Sequence, residues 1–138
     1  MSEQTVVQKP VPVPDEATGP FFAGGATNSL MIRHCFDCDA FIQPGARICP
    51  MCLGEDLDWR TASGKATLHT FGIMHQRYHP GFEPEIPYNI AVVELEEGPR
   101  LFTNVVGCPN GDLKVGMKLA ATFEQVSEGV YLPKFRPA

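Results

Sequence analysis

Residues 35–52 read Cys35-Phe-Asp-Cys38-Asp-Ala-Phe-Ile-Gln-Pro-Gly-Ala-Arg-Ile-Cys49-Pro-Met-Cys52. Two Cys-x-x-Cys pairs stand ten residues apart. Each pair predicts a tight knuckle with both sulfurs pointing inward, and two facing knuckles supply four thiolates about 2.3 Å from a tetrahedral zinc ion. Because the chain fills all four positions, none is left for water or substrate, so the zinc is read as structural. Four free buried thiols or a redox dithiol account for the spacing less well. A redox Cys-x-x-Cys belongs with βαβ surroundings, which this sequence lacks. The residues between the pairs, 39–48, have room for one turn at Pro44-Gly45 and two short strands. His34, beside Cys35, is read as supporting or surface and not as a ligand.

Upstream, Lys9-Pro10-Val11-Pro12-Val13-Pro14 closes a polar, proline-rich lead over residues 1–14. Prolines remove backbone donors and favour an extended polyproline II path. The lead has no apolar signal-peptide core. Residues 15–34 carry Phe21, Phe22, Leu30, Met31 and Ile32. Asp15 can cap a short helix there, and Gly24-Gly25 argues against a long one. This segment is expected to lay Phe21 and Phe22 on another surface.

Downstream, the ribbon (35–58) passes through a turn-rich link, 53–64, into a strand-rich region over 59–138. Expected strands are Gly64–Met74, Tyr88–Leu95, Leu101–Val106, Leu119–Val126 and Val130–Phe135, each bounded by turn residues. The apolar phase of the first changes between Leu68 and Phe71, which predicts a bulge near His69 and Thr70. Leu119, Ala121 and Phe123 are expected to share a face. Five short strands suit a small closed Greek-key barrel of the OB type, since closure removes exposed edges. The fold class is therefore mostly β: a short N-terminal helical segment, a rubredoxin-like zinc ribbon, then a five-stranded OB-fold barrel.

Composition narrows the function. The 138-residue chain carries 13 Gly and 13 Pro and a formal net charge of −5. Affinity for a phosphate backbone comes from Lys and Arg releasing counterions, so an acidic chain with scattered basic residues is not read as a nucleic-acid binder. No apolar run reaches the roughly 18–20 residues that span a bilayer. A cytoplasmic location is expected, where cysteines stay reduced and bind metal in preference to forming disulfides. Cys108, alone after a strand, reads as a small hydrophobe, because nothing near it in sequence would activate a nucleophile.

The loop from His75 to Pro87 is long for a small barrel. It carries Arg77, Tyr78, His79 and Phe82 and leads into Tyr88. Aromatics with arginine are common anchors at interfaces, so these five residues are the candidate ligand or partner loop. No Ser-His-Asp set, carboxylate pair or phosphate-cradling glycine loop is evident, and no catalytic residue is assigned.

In order, the sequence carries an aromatic N-terminal segment, the Cys-x-x-Cys…Cys-Pro-x-Cys ribbon, Ser63-Gly-Lys-Ala-Thr67, Pro87-Tyr88, Ala91-Val-Val-Glu-Leu-Glu-Glu-Gly98, Asn104-Val-Val-Gly107, Leu113-Lys-Val-Gly-Met117 and Leu132-Pro-Lys-Phe-Arg-Pro137. From Asp15 onward this series resembles the zinc-ribbon/OB-fold proteins associated with acyl-CoA enzymes, long catalogued as a domain of unknown function. The resemblance implies a non-catalytic accessory subunit beside a thiolase-like or aldolase-like enzyme, completing its acyl-CoA channel. Members accompany thiolases, steroid side-chain aldolases and multicomponent acyltransferases. The family's helix is usually richer in charge; Ala23-Gly24-Gly25-Ala26 here implies a shorter or frayed one. Asp39 stands where many knuckles have glycine. Two rival readings are a single-stranded nucleic-acid-binding ribbon/OB module and a stand-alone acyl-CoA thioesterase using His75 or His79.

Overall fold

A computed structural model describes residues 8–138. The first half of the expected lead, residues 1–7, lies outside the described residues; residues 8–14 form no regular element.

A five-residue helix α1 (Gly19–Ala23) runs into a 3₁₀ turn, Gly24–Thr27. Asp15 ends the lead rather than capping α1 directly: its carboxylate accepts from the amides of Ala17 and Thr18 in the preceding turn. The two glycines decide how this segment seats. Both are buried, and a Cβ on Gly25 would lie 2.3 Å from the Tyr131 Cβ. The missing side chain of Gly25 lets the backbone lie directly on the last strand, that of Gly24 lets the turn close against the Ser29 carbonyl, and Phe21 packs against the main core.

The ribbon is a three-stranded sheet in the order β2-β1-β3, built from β1 (Met31–Cys35), β2 (Phe41–Ile42) and β3 (Leu57–Thr61). Its strands come mostly from the flanks of the cysteine segment. Residues 39–48 contribute only the two-residue β2, where two strands were expected. Likewise, the expected turn-rich link at 53–64 contains β3. Five antiparallel register pairs join β1 to β3, and that pairing uses residues on both sides of the knuckles which only the folded metal segment brings together.

The barrel sheet has the order β6-β5-β4-β7-β8: β4 (Lys65–Met74), β5 (Tyr88–Leu95), β6 (Arg100–Thr103), β7 (Lys118–Ser127) and β8 (Val130–Pro137). The expected bulge is present: Leu68 pairs with Val93 and Thr70 with Val92, leaving His69 as the extra residue. The bulge lets Leu68, Phe71 and Ile73 all face the core despite their uneven spacing. In β5, Asn89, Ala91, Val93 and Leu95 are buried in strict alternation, the period of two of a strand with one inner face. Leu119, Ala121 and Phe123 share the core face of β7.

β6 ends at Thr103, short of the expected Val106. The chain instead crosses to β8 over residues 104–106. Val105 bridges Phe135 in parallel, Phe135 N–H donates to the Asn104 carbonyl, and Val106 N–H donates to the Phe135 carbonyl. This seam curls the open sheet into a barrel, and Phe135, fully buried, is the largest side chain at its centre.

Leu30, Ile32 and Ala62 belong to the barrel's hydrophobic cluster, so the ribbon's base is anchored in the core of the barrel. Cys108 packs at the edge of the same cluster. Among the described residues, no helix is long and apolar enough to cross a membrane.

Candidate functional site

The two knuckles are the same local structure used twice. Asp39 N–H donates to Cys35 O, and Leu53 N–H to Cys49 O, both at 2.8 Å. Cys35 N–H donates to Ala40 O and Cys49 N–H to Gly54 O. Each hydrogen-bonded turn ends on a residue in the left-handed region, Asp39 at φ 62° and Leu53 at φ 64°. Asp visits that region at modest cost; Leu does so only with strain.

The four sulfurs lie within 4.8 Å of one another. The Cys35–Cys52 and Cys38–Cys49 sulfur pairs are each 3.6 Å apart, close to the edge of about 3.8 Å that a tetrahedron of 2.3 Å metal–sulfur bonds requires. Cys35 and Cys49 are buried and Cys38 and Cys52 exposed. Without a cation the thiols resist ionising together. Burial opposes the Cys49 thiolate, but the amides of Cys52 and Met51 outweigh it and bring its thiol down to about 7. The Gly54 amide favours the Cys52 thiolate, yet the Cys35 sulfur and burial push its thiol up to about 12. A bound cation reverses this, since metal ligation requires thiolates and displaces their protons. The donor set, its spacing and its amide support fit a four-coordinate thiolate metal site with no open position.

Buried His34 backs this centre. Its Nδ1 meets the Asp58 carboxylate at 2.9 Å and its Nε2 meets Asp39. Burial works against the Asp58 carboxylate, but its contacts with Arg60 and His34 hold its pKa below the usual value. His34 is therefore no ligand. It ties the first knuckle's left-handed residue to β3. His69 is exposed on the bulge.

The second feature is a cleft of about 820 Å³ between the barrel and the 75–87 loop, which contains a 3₁₀ turn, Pro80–Glu85. Of the five candidate loop residues, Phe82 and Tyr88 line this cleft, their rings 5.9 Å apart. His79 lies behind them: its Nδ1 accepts from Gly81 N–H at 2.9 Å and its ring meets Phe82 edge-on. Arg77 points away and pairs with Glu83 at 3.2 Å. Tyr78 is 69% exposed and is not among the lining residues. Thus the geometry joins two of the five at a common surface, with a third bracing the loop.

The floor of the cleft is an amide cluster that sequence reasoning missed. Buried Asn89 donates to Val105 O at 2.8 Å and accepts from Val105 N–H at 2.7 Å. Asn104 donates to the Asn89 carbonyl and accepts from Lys134 Nζ. Asn110 accepts from Asn89 and donates to Pro87 O. Burial lowers the Lys134 ammonium pKa, and Glu124, 3.8 Å away, opposes that shift. One signal was legible: Asn89 occupies an inward position of an otherwise apolar strand, and a buried amide must find partners.

Comparison with known proteins adds a family. Residues 59–124 match the profile of the ChsH2 C-terminal OB-fold domain. The chain is 34% identical over 111 residues to a DUF35 domain-containing scaffold protein of Methanocaldococcus jannaschii, covering 75% of this chain and 78% of that one. It is 32% identical over 130 residues to a probable enoyl-CoA hydratase alpha subunit of Thermomonospora curvata; the match takes in 94% of this chain but spans only 40% of that relative's length. Among solved structures, a chain of the Ltp2-ChsH2(DUF35) aldolase superposes with a TM-score of 0.79 at 32% identity, covering 91% of this chain and 98% of that one.

Proposed function

This chain belongs to the DUF35 family of ribbon/OB-fold proteins, and from that premise we propose that it is a non-catalytic accessory subunit of an acyl-CoA-processing enzyme, aldolase-like or thiolase-like. The observation that carries the reading is the match, over nearly the whole of both chains, to the DUF35 chain of an aldolase. The similarity to a hydratase alpha subunit, a relative more than twice as long, supports the acyl-CoA connection.

The chemistry of the chain suits support rather than turnover. The thiolate centre is closed, so zinc there would hold the ribbon's shape and take no part in a reaction. We assign zinc because a tetrahedral four-thiolate set is its characteristic structural environment. His79, one of the two histidines the thioesterase reading could use, accepts the Gly81 amide through Nδ1 and so braces the loop.

Two apolar surfaces suit a partner. At the ribbon tip, Phe36, Ile48, Met51 and Leu53 are each at least half exposed. On the barrel, Phe102 is 84% exposed beside Phe22 and Pro44. The cleft lined by Phe82, Tyr88 and Leu132 is where we place the acyl chain or pantetheine arm. Lipid or steroid side-chain metabolism in the cytoplasm is the setting this implies.

The test is to purify the chain alone and together with candidate enzymes encoded beside it. A stable complex on gel filtration is expected, with acyl-CoA turnover reduced when the subunit is omitted. Paired substitutions Met51→Asp and Phe102→Asp are expected to weaken the complex without unfolding the chain. Full aldolase or thiolase activity without the subunit, and no co-elution, would overturn the proposal.

A further inference from the structure

Residues 8–11 form one wall of the cleft, although they belong to no strand or helix. Lys9 Nζ pairs with Glu85 at 3.1 Å and lies 5.8 Å from the Phe82 ring centroid. The fit is close at Gly81, where a Cβ would fall 2.8 Å from the Gln8 carbonyl oxygen and from the Lys9 backbone. Phe82, Pro84, Pro87 and Tyr88 form the facing surface. This is how grooves receive polyproline-type segments: an aromatic and proline-lined trough accepts an extended chain already stiffened by its prolines, and an acidic residue takes the flanking base.

The attachment is also weak. Among the described residues, no backbone hydrogen bond joins residues 8–14 to the barrel. The Lys9–Glu85 pair is between partly exposed side chains, 39% and 47%, and contributes little when screened by solvent. Val13 is 89% exposed, so contact with the body has ended by that point. A segment shaped to a groove but fastened by so little can leave it.

We propose that residues 8–11 of the proline-rich lead are a displaceable strap: an internal ligand of the Lys-Pro-x-Pro type seated in the cleft, whose release opens the wall beside Phe82 and Tyr88. The strap stands independently of whether the cleft receives an acyl chain, since its test contains no CoA ester and no partner enzyme.

Deletion of residues 1–14 is expected to shift the backbone amide NMR signals of Gly81 to Glu85 and of Tyr88, leaving the knuckle residues in place. A synthetic peptide spanning residues 5–16 should restore those signals saturably in the deleted chain. A short tether gives the attached strap a local concentration in the millimolar range, so a peptide of about 0.1 mM affinity should bind the full chain roughly tenfold more weakly. Lys9→Glu in the peptide should weaken restoration a few-fold at low salt, and Glu85→Lys in the protein should recover it. Amide signals of 81–88 unmoved by the deletion, or equal peptide titration of deleted and full chains, would overturn the proposal. So would indifference to the charge exchange.

Discussion

The ribbon and the barrel are both antiparallel sheets, yet different forces hold them. The barrel cluster contains thirteen buried residues, from Leu30 to Phe135. The ribbon cluster contains three, Cys35, Ile42 and Cys49, and two of those belong to the four-cysteine cluster. Apolar burial contributes roughly 25 cal/mol per Å², and so small a cluster cannot offset the conformational entropy of ordering its loops. Two sheets of the same antiparallel pairing thus differ in support: one has a large apolar core, the other little beyond four clustered cysteines able to hold a metal ion. The two are joined where Leu30, Ile32 and Ala62 leave the ribbon sheet for the barrel core.

The largest expected effect breaks this contrast at the metal. Structural zinc sites contribute on the order of 10 kcal/mol to the folding of such modules. Cys49→Ser, or a strong chelator, is expected to collapse the amide dispersion of β1 to β3 while β4 to β8 keep theirs. Falling pH should do the same as the thiolates take up protons, because protons compete with the metal for sulfur. Unchanged melting in Cys49→Ser would show that the ribbon does not depend on coordination.

Next comes the barrel seam. Phe135→Ala removes the largest fully buried side chain and should cost about 3–5 kcal/mol, read from chemical denaturation. Metal content should stay at one ion per chain in the folded fraction. Loss of metal in step with barrel stability would mean that the halves are one cooperative unit rather than two differently supported ones.

A smaller effect tests the amide cluster. Asn89→Leu leaves the Val105 amide N–H and carbonyl without their side-chain partner and should cost about 1–3 kcal/mol. It should also shift the resonances of Asn104 and Lys134, which are linked to Asn89 through the same network. A purely local change would show that the floor of the cleft is not a connected unit.

The smallest effect separates the two knuckles. Leu53 is strained in a left-handed conformation that glycine adopts freely, so Leu53→Gly is expected to raise ribbon stability by up to about 1 kcal/mol. Asp39→Gly relieves the same backbone position but removes the carboxylate facing His34, so it should show no gain. Equal gains from both substitutions would mean that the His34 contact contributes nothing.

The distribution of these forces explains what was readable in advance. The Cys-x-x-Cys pairs are local, since each knuckle closes on its own backbone within five residues. Strand β5 was legible to the residue because alternation over Tyr88–Leu95 is uninterrupted, and the bulge because two apolar phases meet at His69. Of the ribbon's outer strands, β2 falls where short strands were expected, but β3 was not legible. Leu57–Thr61 has no apolar run of its own, and its pairing with Met31–Cys35 follows from the knuckles drawing the flanks together. The cleft was half legible: its aromatic wall announced itself as a long loop, whereas its floor is assembled from Asn89, Asn104, Asn110 and Lys134, far apart in the chain.

By itself, then, the sequence determined the clustering of the four cysteines and the order and phase of the barrel strands, because knuckle spacing and side-chain period act over a few residues. Only the tertiary structure decided that the sheet closes through Val105 and Phe135, that Gly25 lies on Tyr131, and that Lys9 reaches Glu85. Those contacts join residues tens of positions apart, and no local pattern encodes which distant surface a side chain will meet.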